Sequence, residues 1–114
     1  MSTKRVQATG RKLSRVLFHF QNLRAKAPIL VLDILSHVAA AGEDGLPMRE
    51  LAGLCNRPQT SISRVILHML TKEYRGEPGP DLVVAEMDPE DYRQKIVKLT
   101  PRGRKLMEEI AEIL

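Results

Sequence analysis

The chain has 114 residues, of which 43% are apolar and 28% charged, a composition typical of one soluble globular domain. No uncharged apolar run approaches the roughly 20 residues of a membrane-spanning helix, and there is no secretory signal, so we expect a cytoplasmic protein without a membrane partner. The single cysteine, Cys55, excludes an intrachain disulfide and predicts a small buried apolar residue, with a redox-sensing thiol as the alternative.

The net charge of +4 conceals a marked asymmetry along the chain. Residues 1–26 contain seven Lys or Arg and no acidic residue, whereas residues 77–114 contain six basic and nine acidic residues. A basic segment of this kind is typical of a solvated tail or helix face, or of a region that neutralises phosphates, and charge alone does not decide between them. Residues 1–10 lack periodicity and are predicted to form a flexible basic arm, ahead of a single domain over residues 11–114.

Two helices are predicted to begin this domain. Over residues 11–26, apolar side chains recur at the i, i+3, i+4 and i+7 spacing of an amphipathic helix. Pro28 ends this helix, because proline disfavours the α conformation in the residue before it. A second helix, over residues 28–41, is apolar on most sides and is expected at the centre of the core, and Gly42 suits the left-handed conformation after its end.

Residues 46–72 predict a helix-turn-helix. Pro47 opens a short helix, the segment from Asn56 to Pro58 ends it, and a second helix begins at Gln59. Steps of 100° per residue give the second helix a polar outer face on which Leu67 is the apolar exception. The residues predicted to face inward from the two helices are Leu51, Ala52 and Leu54, then Ile62, Val65, Ile66, Met69 and Leu70.

A β-hairpin and a final helix are predicted for the rest of the chain. Residues 74–80 form a loop, and residues 81–100 contain two strands rich in Val, Ile and Leu, joined by an acid-rich turn. Thr100 is the expected N-cap of the closing helix, residues 101–114, and proline follows at its first position. The order of elements predicts a mainly α fold with a small β-hairpin wing, that is, a winged helix-turn-helix.

Two stretches carry a family resemblance. MRELAGLCNRPQTSISRVILHML contains a Ser-Arg pair at Ser63-Arg64, and MDPEDYRQKIVKLTPRGRKL contains an Asp-x-Arg unit, Asp91 to Arg93, before a strand and the Leu-Thr-x-x-Gly-Arg helix start, Leu99 to Arg104. They resemble the two-helix reader and the wing of the MarR family. The resemblance implies a homodimer with recognition helices in successive major grooves and wings on flanking minor grooves. This chain is shorter than typical members, whose longer terminal helices build the dimer and a small-molecule pocket. A small-molecule effector is therefore doubtful as a partner.

The exposed face of the second helix carries side chains that can bond base edges. Gln can bond adenine, Arg can bond guanine, and Thr can touch a thymine methyl, so Arg64 is the first choice for a base contact. Arg93 could enter a minor groove, with Asp91 orienting it or only pairing with it at the hairpin tip. Alternatively, Gln59 and Thr60 merely cap a surface helix. The predicted DNA-binding residues are Arg57, Gln59, Thr60, Ser61, Ser63, Arg64, His68, Arg75, Arg93 and Lys95.

Apolar stripes on the two terminal helices, 11–26 and 101–114, predict a homodimer. The residues expected at its interface are Leu13, Leu17, Phe20, Ile110 and Leu114. No metal site is expected, because His19, His37 and His68 lie on three predicted helices without a cysteine or carboxylate at ligand spacing. No catalytic motif or cofactor-binding loop is present, so neither an enzyme nor a cofactor is predicted.

The leading hypothesis is a sequence-specific, double-stranded DNA-binding transcription regulator, a dimeric repressor at a palindromic operator. One alternative is a winged-helix protein-interaction module that acts on another regulator or on a polymerase, for which an exposed Leu67 is the best support. Another alternative is a protein that binds a replication or partition site, which uses the same DNA chemistry.

Overall fold

A computed structural model of the chain describes residues 3–21 and 28–114. The helices are α1 (Thr3–Gln21), α2 (Pro28–Ala41), α3 (Met48–Leu54), α4 (Gln59–Val65) and α5 (Pro101–Ile113), and α4 continues as a π-helical segment over Ile66–Leu70. The strands are β1 (Leu46–Pro47), β2 (Glu73–Tyr74), β3 (Glu77–Pro78), β4 (Val83–Met87) and β5 (Lys95–Leu99). Among the helices of these residues, none combines the length and apolar character needed to cross a membrane.

The first helix begins earlier than the sequence predicted. Residues 3–10, expected as a flexible basic arm, form the first turns of α1, so the predicted boundary at Arg11 is wrong. Half of the residues in this segment, Lys4, Arg5, Gln7 and Ala8, have good helix propensity. The Thr9 hydroxyl donates a hydrogen bond to the carbonyl of Arg5 (3.0 Å) one turn earlier. The predicted end of the helix near residue 26 lies outside the described residues.

Helix α2 lies at the centre of the core, as predicted. Val31, Ile34 and Leu35 have no exposed surface, and Val38 is 1% exposed. The helix packs against α1, α3 and β5, which explains why it is apolar on most sides. Gly42 ends it with φ 80°, the left-handed conformation that glycine adopts without a steric cost.

The wing strands belong to a three-stranded antiparallel sheet in the order β1-β5-β4. The predicted hairpin is formed by β4 and β5, with Ala85 opposite Val97. The third strand, β1, was not predicted; it pairs Leu46 with Val97 directly before Pro47 caps α3. The wing and the first helix of the helix-turn-helix are therefore joined by backbone hydrogen bonds.

The loop predicted over residues 74–80 contains a second, smaller hairpin. Strands β2 and β3 pair Tyr74 with Glu77 around a turn at Arg75 and Gly76, whose φ angles are 51° and 82°. Two successive positive φ angles give the twist that suits a two-residue hairpin turn, so a short ladder forms where the sequence indicated only a loop.

Helix α5 begins at the predicted cap and proline. The Thr100 hydroxyl donates to the carbonyl of Asp81 (2.6 Å) and accepts from the Gly103 amide (3.0 Å), and the Thr100 amide donates to Leu82 (3.0 Å). A side chain at Gly103 would collide with the carbonyl oxygen of Leu82, so glycine permits this close approach. The first turn of α5 is thus fixed to the entrance of β4.

Candidate nucleic-acid interface

The turn between α3 and α4 lies where the sequence predicted it. Asn56 adopts a left-handed conformation (φ 54°) after the end of α3, which asparagine tolerates better than most residues. The Arg57 amide donates a hydrogen bond to the carbonyl of Ala52 (3.1 Å), and Pro58 then starts α4. Arg57 is therefore exposed on a turn whose backbone is fixed at both ends.

Helix α4 begins without a side-chain cap. Pro58 is the N-cap residue, and its carbonyl accepts hydrogen bonds from the amides of Ser61 (3.0 Å) and Ile62 (3.2 Å). Gln59 and Thr60 do not cap the helix, and both are exposed. Their side chains are therefore available to a ligand outside the chain.

The two faces of α4 and its π-helical segment divide largely as predicted. Ile62, Ile66 and Leu70 are completely buried, whereas Arg64 and His68 are exposed. The half-buried residues of this stretch are Ser61, Ser63, Val65, Leu67 and Met69. Two expectations are wrong in detail: Leu67 is half-buried and not an exposed apolar residue, and Leu54, predicted to face inward from α3, is 52% exposed.

The arginines of this surface are not neutralised by the protein. Within residues 3–21 and 28–114, neither Arg57 nor Arg64 forms an ion pair. Other arginines and lysines do find acidic partners, such as Arg104 with Glu43 (3.5 Å). The exposed side of the helix-turn-helix therefore carries uncompensated positive charge.

A stack of three side chains joins the end of the π-helical segment to the small hairpin. The rings of His68 and Tyr74 have centroids 4.1 Å apart, and the Arg75 guanidinium carbon lies 5.2 Å from the centre of the Tyr74 ring. Two predicted site residues, His68 and Arg75, are thus brought together through Tyr74, which the sequence analysis did not select. An aromatic residue beside an arginine and a glycine, in Tyr74-Arg75-Gly76, was the available signal.

The tip of the wing is organised by two aspartates. Asp88 accepts hydrogen bonds from the Gln94 side-chain amide (2.9 Å) and the Glu90 backbone amide (2.9 Å), and these bonds lower the pKa of its carboxyl. Asp91 accepts bonds from the backbone amide (3.1 Å) and the Nε (3.2 Å) of Arg93. Both aspartates of the tip therefore accept hydrogen bonds from other residues of the wing, while the Arg93 side chain stays 93% exposed.

The two wing lysines differ in their surroundings. Lys95 is exposed at the start of β5, opposite Met87. Lys98 forms an ion pair with Glu86 (3.2 Å) across the hairpin. In the described part of the chain, the ten predicted DNA-binding residues form no side-chain hydrogen bond or ion pair with one another. They lie on three supports: the helix-turn-helix, the small hairpin and the wing.

The apolar residues expected at a dimer interface separate into two groups. Leu13 and Leu17 are exposed on α1, and Leu114 is 71% exposed after α5. Ile110 is only 4% exposed because it packs in the core of its own chain, so its assignment to the interface is wrong. The side chain of Phe20 lies outside the described residues. Phe18, which was not selected, is 60% exposed and extends the stripe.

The fold brings together three side chains that can bind metals. The His37 Nε2 lies 3.2 Å from Asp33 Oδ1, and the ligand atoms of Asp33, His37 and Cys55 all lie within 4.8 Å of one another. The expectation that no cysteine or carboxylate lies at ligand spacing from a histidine is therefore wrong for His37. Burial and the neighbouring Asp33 raise the pKa of the Cys55 thiol to about 11. Protonation at neutral pH disfavours the alternative of a reactive redox thiol.

Comparison with known proteins places this architecture among winged-helix structures. The S. aureus MepR–DNA complex is similar over 95% of this chain and 77% of that chain, with 23% identity and a TM-score of 0.66. Bordetella bronchiseptica BpsR, whose DNA binding is regulated by 6-hydroxynicotinic acid, is similar over 96% and 77%, with 21% identity and a TM-score of 0.57. The crystal structure of MarR is similar over 93% of this chain and 64% of that chain, with 22% identity and a TM-score of 0.54.

No protein-family model and no curated protein matches the chain. The structural similarities nevertheless establish the fold. The prediction of a mainly α, MarR-like winged helix-turn-helix is confirmed.

Proposed function

We propose that the protein is a sequence-specific, non-enzymatic transcription regulator that binds double-stranded DNA as a dimeric repressor at a palindromic operator. The observation that carries this proposal is the outer face of α4, where Gln59, Thr60 and Arg64 are exposed and the arginine has no acidic partner within the described residues. The similar fold of MepR, which was solved in complex with DNA, supports the same function.

Base recognition is assigned to α4. Its apolar stripe is anchored in the core, so the opposite face can enter a major groove as a rigid surface. Arg64 is proposed to bond a guanine and Gln59 an adenine, while Thr60 contacts a thymine methyl. The half-buried Ser61 and Ser63 are small enough to allow close approach to the sugar-phosphate backbone.

Contacts to the DNA backbone are assigned to the cations around α4. Arg57 lies on the turn before it, Arg75 on the small hairpin after it, and Lys95 at the start of β5. His68 supports Arg75 through the stack on Tyr74. Such contacts position the protein and give affinity without sequence information.

Minor-groove binding is assigned to Arg93. The backbone amide and the Nε of Arg93 both donate hydrogen bonds to the carboxylate of Asp91. These bonds limit the directions that the Arg93 guanidinium can take. A narrow, A·T-rich minor groove has an enhanced negative potential that attracts arginine. The wing is therefore proposed to read the width of the groove beside the major-groove contact.

Dimerisation is assigned to α1 and the end of α5. The exposed apolar residues there are Val6, Leu13, Leu17, Phe18 and Leu114. Among the described side chains of α1, only Val16 is buried in the chain's own core, so the exposed apolar residues of this helix are available to a second copy. A two-fold symmetric contact would cover the stripe and present two recognition helices to the two half-sites of a palindrome.

The competing protein-interaction module has lost its main support, because Leu67 is half-buried. The deciding experiment is selection from random duplexes, followed by anisotropy titration of the selected duplex at several salt concentrations. With Arg57, Arg75 and Lys95 on phosphates in both protomers, six neutralised phosphates predict a slope of log K against log salt of about −5. A palindromic consensus is expected, and a selection that enriches no sequence would overturn the proposal.

A further inference from the structure

We propose that Asp33, His37 and Cys55 form a binding site for a divalent transition-metal ion of the Zn²⁺ type, which links α2 to the end of α3. This proposal does not depend on DNA binding. It follows from the positions and chemistry of the three side chains.

The geometry brings ligands from two helices to one point. Asp33 and His37 lie one turn apart on α2, which places both side chains on the same face, with His37 Nε2 and Asp33 Oδ1 3.2 Å apart. Cys55 approaches from the C-cap of α3, and all three ligand atoms lie within 4.8 Å of one another. Bonds of about 2.0–2.3 Å around a tetrahedral ion place its ligand atoms roughly 3.3–3.8 Å apart, so contraction by about 1 Å completes the set.

The chemistry of the ligands selects the class of ion. A thiolate and an imidazole together disfavour Mg²⁺ and Ca²⁺, which prefer oxygen ligands, whereas Zn²⁺ accepts sulfur, nitrogen and carboxylate oxygen. When the ion binds, the Cys55 thiol releases its proton to solvent. One thiolate and one carboxylate then balance the double positive charge, so the loaded site is electrically neutral.

The burial of the ligands suits a site that is sheltered on one side and open on the other. Cys55 is 8% exposed, whereas the side chains of His37 and Asp33 are 31% and 43% exposed. An ion can therefore enter from the α2 side and retain water or another small ligand at a fourth position. The sulfur side of the site faces the apolar core formed by α2 and α3.

The position of the site gives it a structural consequence. Cys55 directly precedes Asn56, the left-handed residue of the turn, and Arg57 follows. An ion bound at Cys55 fixes this turn to α2. Binding is therefore expected to stabilise the folded chain, because it favours the native state in which the ligands are together.

Titration of the full-length, metal-free protein with Co²⁺ tests the site, because a Co²⁺–thiolate bond gives a near-ultraviolet charge-transfer band and a tetrahedral site gives visible bands. One equivalent of Co²⁺ is expected to bind with both signals, and Zn²⁺ should displace it. Cys55→Ser should abolish the charge-transfer band. His37→Gln and Asp33→Asn should each lower the affinity for Co²⁺ by more than about 10-fold, because the loss of even a residue that only hydrogen-bonds to a metal ligand lowers metal affinity roughly 10- to 100-fold.

His19→Gln is the matched control, because His19 also lies near a carboxylate, Glu109 (3.9 Å), but has no part in the proposed site. It should bind Co²⁺ like the wild type. Circular dichroism identifies any variant that fails to fold. His37→Gln should leave the core intact, because the His37 side chain is half-exposed. Absence of the charge-transfer band in the wild type, or an unchanged affinity in both His37→Gln and Asp33→Asn, would overturn the proposal.

Discussion

The Nε of Arg93 lies 3.2 Å from Oδ1 of Asp91, and the same oxygen accepts the backbone amide of Arg93 at 3.1 Å. This pair holds a side chain that is 93% exposed. An exposed ion pair contributes only about 0–1 kcal/mol to stability, so the pair has little effect on folding. Its effect is to restrict the orientation of a guanidinium at the tip of the wing.

The first prediction concerns this pair. Arg93→Ala is expected to weaken binding to the selected duplex by about 1–3 kcal/mol. Asp91→Ala should weaken binding to the duplex by less than Arg93→Ala does. The double variant should bind no more weakly than Arg93→Ala alone, because Asp91 acts through Arg93. Anisotropy titrations of the three variants give the coupling energy. Tighter DNA binding by Asp91→Ala would show instead that the acid only repels phosphate.

The second prediction concerns base recognition by α4. Arg64→Ala should weaken binding by about 1–3 kcal/mol and relax the preference at one base position in each half-site, because a bidentate contact to guanine is lost. Repeating the selection with the variant measures the preference directly. Arg102→Ala, which removes an exposed arginine from α5, is the control and should leave the consensus unchanged. If Arg64→Ala retains both affinity and consensus, another residue reads the bases.

The elements with strong periodicity or caps could be predicted from the sequence. The inward stripe of α4 and the apolar α2 follow from spacing, because burial on one or several faces leaves a direct trace in the residues. The start of α5 follows from Thr100 and Pro101 for a similarly local reason. Helix α1 was predicted too short because Val6 is the only large apolar residue between positions 3 and 10, and one such residue does not define a helical period.

The features that were missed depend on contacts between separate secondary-structure elements. Strand β1 has only two residues and is defined by its partner β5. The stack of Tyr74 on His68 depends on the hairpin that follows the π-helical segment. Cys55 meets the Asp33–His37 pair only after α3 packs on α2. The pairing of β1 with β5 and the approach of Cys55 to α2 leave no local pattern in the sequence, because both are set by the packing of complete elements.

The third prediction concerns the first turn of α5. Gly103→Ala should destabilise the protein by about 1–3 kcal/mol, because the added methyl group meets the Leu82 carbonyl and forces backbone shifts. Thr100→Ala should cost about 1 kcal/mol through loss of the cap, while Thr100→Ser keeps the hydroxyl and should cost less. Urea unfolding monitored by circular dichroism measures all three. Gly53→Ala in α3, where a methyl group meets no neighbour, is the control for Gly103→Ala.

The fourth prediction concerns pH. Hydrogen bonds from Gln94 and Glu90 lower the pKa of Asp88 below its ordinary value of 3.8 in the folded state. The stabilisation that these bonds give is therefore complete above the unfolded-state pKa and is lost as the pH falls through the lower folded-state value. Stability measured by urea unfolding across this acidic range should fall less steeply in Asp88→Asn than in the wild type. Equal slopes in Asp88→Asn and the wild type would contradict the prediction.

The fifth prediction concerns the exposed stripe of α1. Leu13→Glu places a charge on a residue that is 54% exposed in the protomer, so it should leave the fold intact but oppose burial of the stripe against a second copy. Sedimentation velocity at micromolar concentration should give a dimer for the wild type and a monomer for Leu13→Glu. Leu54→Glu introduces the same change at a 52% exposed position of α3 and should remain dimeric. A monomeric wild type would overturn the dimer, whereas a dimeric Leu13→Glu would assign the interface to another surface.

In the monomeric variant, DNA affinity for the palindrome should fall towards that for an isolated half-site, because the two recognition helices are no longer linked.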